Sequence, residues 1–185
     1  MIGKIKYNLL RKVLSDSATK RVIVSQYHSA LSMMKEAIVK CSDELWNSDR
    51  YKNRYWHICY HALFYADLYL SDDEYSFSPW TRHRKEYQFL GEVPYPPYHQ
   101  PHIEEFYSKT EILEYLKNII NSLESRIAKT NLDGTSGFFW LPFDKLELQV
   151  YNIRHIQHHT AQLVERLRQE NNVSVEWIGC GDKLE

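Results

Sequence analysis

The sequence has few cysteines and no long apolar run. Its three cysteines (Cys41, Cys59 and Cys180) lie far apart and form no CxxC pair, which argues against a disulfide framework and a thiolate zinc site. No stretch approaches the roughly 18 consecutive apolar residues that a membrane-spanning helix needs. The mean hydropathy of −0.55 also indicates a soluble protein.

The chain also has almost no net charge. Lys plus Arg number 23 and Asp plus Glu number 24, so the formal net charge is −1. Such a chain has no global basic field with which to attract nucleic acid or anionic lipid. Hydrophobic residues make up 43%, too many for a disordered chain. We therefore expect a cytoplasmic protein without nucleic-acid or membrane partners, folded as one domain over residues 1–185 with its core at about 19–170.

The N-terminal segment lacks the apolar core of a secretory signal but is rich in basic residues. Among the first 21 residues, Asp16 is the only acid. This composition allows two interpretations, an organelle transit peptide or a solvated helical lead-in, and the second is favoured.

Four long segments are predicted to be helices. Apolar residues recur at three- and four-residue steps in the first, third and fourth, whereas the second is apolar on nearly every side, as in a buried helix. The four segments cover about residues 19–45, 51–70, 108–129 and 143–170. The third begins with a capping pattern, Ser108 and Glu111, and the fourth with Asp144 and Glu147 in the same spacing. No segment alternates convincingly as a strand would, so the predicted fold class is all-α.

The connection at 71–107 departs from this regularity. It holds five of the six prolines and many aromatic residues, among them Trp80, Tyr95 and Tyr98. Proline prevents a continuous helix, and aromatic residues in a loop indicate that the loop packs back onto the helices. A long connection between the second and third helices predicts a four-helix bundle with a crossover connection. The aromatic residues could wall a pocket, although simple packing is favoured.

Two histidines of the fourth predicted helix share one face. His155 and His159 are four residues apart, so their imidazoles can converge on one ion. At roughly 100° per residue from the core position Ile156, both flank the bundle interior, whereas His158 faces outward. The same spacing also occurs by chance, with histidines that simply bind a tyrosine or a carbonyl. Spacing alone therefore leaves a structural role open.

A metal site would need a third ligand, and the second predicted helix offers His57 and His61. Three neutral histidines would leave coordination positions for water or substrate, which is typical of catalytic zinc sites. The residue after His155 is Ile156, so the HExxH motif of metalloproteases is absent. The carboxylate-rich set of di-iron bundles is absent too.

The segments that carry these histidines resemble those of the DinB/YfiT family. The segment YWHICYHALF at 55–64 is similar to the family's first histidine motif. The segment RHIQHHTAQL at 154–163 is similar to its closing HxxxH motif. The opening helix at 26–46 also resembles that of the family. The resemblance spans about residues 20–170.

The resemblance implies a four-helix bundle that binds a divalent metal through His61, His155 and His159. His57 is either the alternative ligand from the second helix or a residue that supports a ligand without contacting the metal. The implied metal is Zn²⁺, Ni²⁺ or Fe²⁺, since imidazole suits all three. Relatives include S-transferases that depend on a low-molecular-weight thiol, and a maleylpyruvate isomerase. We therefore expect a metal-dependent enzyme that carries out thiol-dependent S-transfer or hydrolysis on an unknown small molecule, with catalytic residues unassigned.

Other interpretations stay open at this point. Gln162, Tyr60 and Asp67 are candidates for supporting the ligands, although each is more often structural. The main alternative function is a non-catalytic metal-binding bundle with a stress-related or interaction role, which a fourth ligand such as His57 would favour. Homodimerisation is compatible with a helical bundle, but no residue demonstrates it.

Overall fold

The fold is entirely helical in the part of the chain that the structure describes. A computed structural model describes residues 2–181, with side chains from residue 16 onward. Its helices are α1 (Ile2–Lys40), α2 (Asp43–Trp46), α3 (Tyr55–Tyr69), α4 (Lys109–Lys129) and α5 (Lys145–Asn171). Within these residues the only β-type pairing is an isolated bridge between Thr135 and Asp144. The all-α prediction is confirmed, while residue 1 and residues 182–185 of the predicted domain lie outside the description.

The first predicted helix is wrong at both ends. α1 begins at Ile2 instead of near residue 19, so the N-terminal segment is part of a 39-residue helix. It ends at Lys40, because Ser42 adopts an extended conformation. The Ser42 hydroxyl accepts a hydrogen bond from the backbone N–H of Leu45 at 3.2 Å and starts the short α2. Serine favours this N-cap role because its side chain satisfies a helix donor.

The remaining helices begin close to where the capping patterns predict. The Ser108 hydroxyl accepts from the Glu111 N–H, and the Glu111 carboxylate accepts from the Ser108 N–H, so the capping box of α4 is confirmed. Asp144 caps α5 by accepting from the backbone N–H of Glu147 at 2.7 Å. α3 begins at Tyr55, later than the predicted residue 51, because the preceding segment is irregular.

The long helices surround one core. α1 and α3 each pack against both α4 and α5. Buried hydrogen bonds join neighbouring helices. The Tyr27 hydroxyl of α1 donates to Gln149 Oε1 of α5 at 2.8 Å, and Asn152 Nδ2 of α5 donates to the Ala66 carbonyl of α3 at 3.0 Å. The six largest fully buried side chains are all aromatic: Trp56, Tyr27, Tyr55, Tyr60, Tyr107 and Tyr115.

The connection at 71–107 packs back onto the helices. The Trp80 ring stacks on Tyr115 of α4, with ring centroids 4.7 Å apart and planes 4° from parallel. The Tyr107 carbonyl accepts from the Trp46 indole N–H at 2.8 Å. Tyr98, by contrast, is 63% exposed. The predicted packing of this segment is therefore confirmed for Trp80 and Tyr107. The backbone carbonyls of Tyr87 and Gln88 also bond to side chains of α3.

None of the described helices is both long enough and apolar enough to cross a lipid bilayer.

Candidate metal centre

Three histidines from two helices meet at one point. His61 lies in the middle of α3, and His155 and His159 lie one turn apart on α5. The Nε2 atom of His155 is 3.2 Å from Nε2 of His61 and 3.2 Å from Nε2 of His159. These three side chains form the one group of at least three potential metal-ligating residues found among the described residues, and they could hold a metal ion.

The spacing of the nitrogen atoms fits a divalent ion. Metal–nitrogen bonds of about 2.0–2.1 Å with tetrahedral angles place ligand nitrogens about 3.3 Å apart. The two observed separations of 3.2 Å agree with this value. The donor set of three imidazoles suits zinc, nickel and iron alike.

Hydrogen bonds behind the histidines turn the Nε2 atoms toward one another. Nδ1 of His61 donates to the backbone carbonyl of Gln88 at 2.6 Å, and Nδ1 of His159 donates to Oε1 of Gln162 at 2.9 Å. A neutral imidazole that donates through Nδ1 has a lone pair at Nε2. In metal sites, a hydrogen bond of this kind usually fixes the tautomer and the ring orientation of each histidine ligand.

The electrostatic environment keeps the three imidazoles neutral. Burial, followed by the neighbouring His159, holds the pKa of His61 well below its usual range. The same two causes lower the pKa of His155 to about 3. Burial also lowers the pKa of His159, although the bond to Gln162 opposes the shift. Only a neutral imidazole can ligate a metal. Because these three are already neutral near pH 7, a metal ion can bind them without first releasing a proton from an imidazolium.

The other sequence candidates lie outside this group. His57 is buried one turn before His61, and its Nε2 bonds to the Tyr87 carbonyl at 2.8 Å instead of facing the three histidines. His158 is exposed, as predicted, and contacts Gln162 at 3.3 Å. The Tyr60 hydroxyl is hydrogen-bonded to Nδ1 of His83 at 2.6 Å.

Asp67 likewise has a structural partner. It forms an ion pair with Arg126 of α4 and accepts from the Tyr115 hydroxyl at 3.0 Å. Of the three proposed supporting residues, only Gln162 therefore contacts a histidine of the group.

A cavity of about 780 Å³ opens beside two of the histidines. His61 and His155 line it, together with Gln88 and a series of aromatic side chains. Its volume is in the range of small-molecule sites. Tyr95 of the 71–107 connection lines this cavity, whereas the buried Trp80 and the exposed Tyr98 do not.

Sequence reasoning missed several residues of this site. The Gln88 contact to His61 uses a backbone carbonyl, which no side-chain pattern can reveal. Tyr65 and Tyr69 follow His61 at helical spacing, and this spacing could have placed them on the same face. Trp140, from the loop before α5, reaches the cavity only through the tertiary fold.

Comparison of the chain with protein-family models, with curated proteins and with solved structures gives no match.

Proposed function

We propose that this protein is a metal-dependent enzyme of the DinB/YfiT kind, in which His61, His155 and His159 hold one divalent ion and a small molecule reacts in the adjacent cavity. The ion would be Zn²⁺, Ni²⁺ or Fe²⁺. The reaction would be S-transfer from a low-molecular-weight thiol, or hydrolysis.

The helix packing supports the proposed bundle. α1, α4, α3 and α5 form a closed series in which each helix packs on the next and α5 returns to α1. The connection at 71–107 joins α3 to α4, as the proposed crossover requires. The histidines come from the second and fourth long helices, in agreement with the resemblance of the two histidine segments.

One observation carries the proposed metal site: three imidazole nitrogen atoms converge with at most one hydrogen among them. His61 and His159 each donate through Nδ1, so both present a lone pair at Nε2. Nε2 of His155 lies 3.2 Å from each and carries at most one hydrogen, which can satisfy only one of them. A divalent cation satisfies all three lone pairs at once.

The chain's own groups prepare the site for chemistry. Gln88 and Gln162 fix the rings of His61 and His159, and burial keeps the imidazoles neutral. Aromatic side chains line the space beside His61 and His155. A bound ion would lower the pKa of a coordinated water or thiol and polarise a substrate.

The cavity favours an enzyme over the non-catalytic alternative. A purely structural metal site is closed by four protein ligands, whereas a catalytic site keeps a position for substrate. Among the described residues His57 is engaged by the Tyr87 carbonyl and does not complete the set. The space beside His61 and His155 is large enough for a small molecule.

The decisive experiment measures the metal content of protein purified without a chelating column. We expect about one divalent ion per chain by elemental analysis, and loss of that ion in each of the variants His61→Ala, His155→Ala and His159→Ala. His158→Ala is the matched control, because His158 lies on the same helix but faces solvent.

Stoichiometric metal in the three variants, or no uptake of Zn²⁺, Ni²⁺ or Fe²⁺ by the wild type, would refute the site. With the site established, thiol transfer and hydrolysis are assayed on the loaded protein. Metal without any turnover, and without an exchangeable water, would leave the non-catalytic alternative.

A further inference from the structure

The cavity beside the histidines is elongated and walled by aromatic rings. On α3, Tyr65 and Tyr69 follow His61 at intervals of one turn, so the wall extends about 12 Å along the helix. Tyr151 of α5 also lines the cavity and packs edge-on against Tyr69, with ring centroids 5.8 Å apart. Such walls suit a long apolar body, and they also offer the π-faces that attract cations.

The end of the cavity away from the histidines carries a negative charge. Glu74, in the turn after α3, is the only Asp, Glu, Lys or Arg side chain among the described residues that line the cavity. Glu74 is half-buried, and no ion pair or hydrogen bond to another described residue accounts for its carboxylate. A carboxylate in such a position is available to a cation from outside the chain.

The position of this turn is fixed relative to the histidines. The ammonium group of Lys145, in the first turn of α5, donates to the carbonyls of Ser71 and Asp72 at 3.1 and 2.7 Å. Lys145 is ten residues, about 15 Å, before His155 on the same helix. The Lys145 ammonium donates to backbone carbonyls, does not line the cavity and forms no ion pair with Glu74 among the described residues.

We infer that the cavity binds an elongated amine, with its ammonium group beside Glu74 and its apolar body against the rings of Tyr65, Tyr69 and Tyr151, reaching toward His61. This inference rests on the proposed function, since it names the substrate class of the same site. Carboxylates and phosphates are disfavoured at the Glu74 end, because no Lys or Arg lines the described part of the cavity and the Glu74 charge repels them.

Three probes of matched shape test this inference. The affinities of 4-phenylbutylamine, 4-phenylbutanol and 4-phenylbutanoate are measured by calorimetry on the metal-free full-length chain at pH 7.5. We expect the amine to bind at least tenfold more tightly than the alcohol, and the carboxylate to bind most weakly. Equal affinities, a preference for the carboxylate, or no binding of any probe would overturn the inference.

Variants of Glu74 show whether the carboxylate sets the preference. Glu74→Gln should lose the tenfold preference for the amine while keeping its affinity for the alcohol, and Glu74→Lys should shift the preference to the carboxylate. Glu44→Gln, an exposed position on α2 outside the cavity, should behave as the wild type. An unchanged amine preference in Glu74→Gln and Glu74→Lys would contradict the assignment.

The outcome is separable from that of the metal experiment. Amine preference in a chain that takes up no metal would contradict the proposed function alone. Metal uptake without amine preference would contradict this inference alone.

Discussion

Gln162 joins two histidines of opposite exposure. Its Oε1 accepts from Nδ1 of His159 at 2.9 Å, while its Nε2 reaches Nε2 of the exposed His158 at 3.3 Å. All three residues lie on one turn of α5. The amide therefore holds the buried His159 ring from the solvent side and directs its Nε2 toward His61 and His155.

Replacing Gln162 should weaken metal binding without removing it. In Gln162→Ala the His159 ring loses the acceptor that fixes its tautomer, and loss of such a partner costs about 10- to 100-fold in metal affinity. Competition with a chromophoric chelator measures the change. Gln169→Ala, at an exposed position on the same helix, is the control. Equal affinities of the two variants would show that Gln162 does not position His159.

A bound ion should raise the melting temperature of the wild type. A ligand that binds only the folded state contributes about 2.7 kcal/mol at 100 times its dissociation constant, which in a chain of this size corresponds to about 5–10 °C. Differential scanning calorimetry with and without Zn²⁺ measures the shift. His159→Ala should show no shift and His158→Ala the full one; an equal shift in both would mean that the ion binds elsewhere.

Acid should destabilise the metal-free protein through His83. Burial lowers the pKa of this histidine, and its Nδ1 accepts from the Tyr60 hydroxyl, which requires the neutral imidazole. A base with a lower pKa in the folded state stabilises the fold above its unfolded pKa of about 6.5, and this contribution is lost as the pH falls below that value.

Urea unfolding at pH 7 and pH 5 tests this expectation. The wild type should lose more free energy of unfolding between the two pH values than His83→Gln, whose amide does not titrate. The exposed His102→Gln variant should match the wild type. Identical losses in wild type and His83→Gln would exclude His83 as a source of the acid sensitivity.

Removing Asp67 should destabilise the fold and leave the metal site intact. The carboxylate pairs with Arg126, and both side chains are largely buried, so Asp67→Ala leaves an unpaired charge at a cost of about 3 kcal/mol. Glu165→Ala, which removes an exposed ion pair with Arg168, should cost less than about 1 kcal/mol. Urea unfolding gives both values, and a loss of metal from folded Asp67→Ala would assign Asp67 to the site instead.

The sequence alone determined the helical class and the ends of α4 and α5, because these depend on neighbours within a few residues. Apolar patterns predict α3, α4 and α5, and the capping patterns at Ser108 and Asp144 locate two N-termini. Helical spacing also correctly placed His159 toward the bundle interior and His158 toward solvent. It failed at Ser42, where a single cap divides one apolar pattern into two helices.

The tertiary structure decided what lies opposite each histidine. His57 and His61 are one turn apart in similar apolar surroundings, and only the packing of α3 on α5 brings His61 to His155 while the Tyr87 carbonyl engages His57. The Gln88 carbonyl and Glu74 reach the cavity from irregular segments whose path depends on contacts such as Lys145 with Ser71. Helical spacing is a local property of the chain, whereas the convergence of groups some 90 residues apart depends on the packed core.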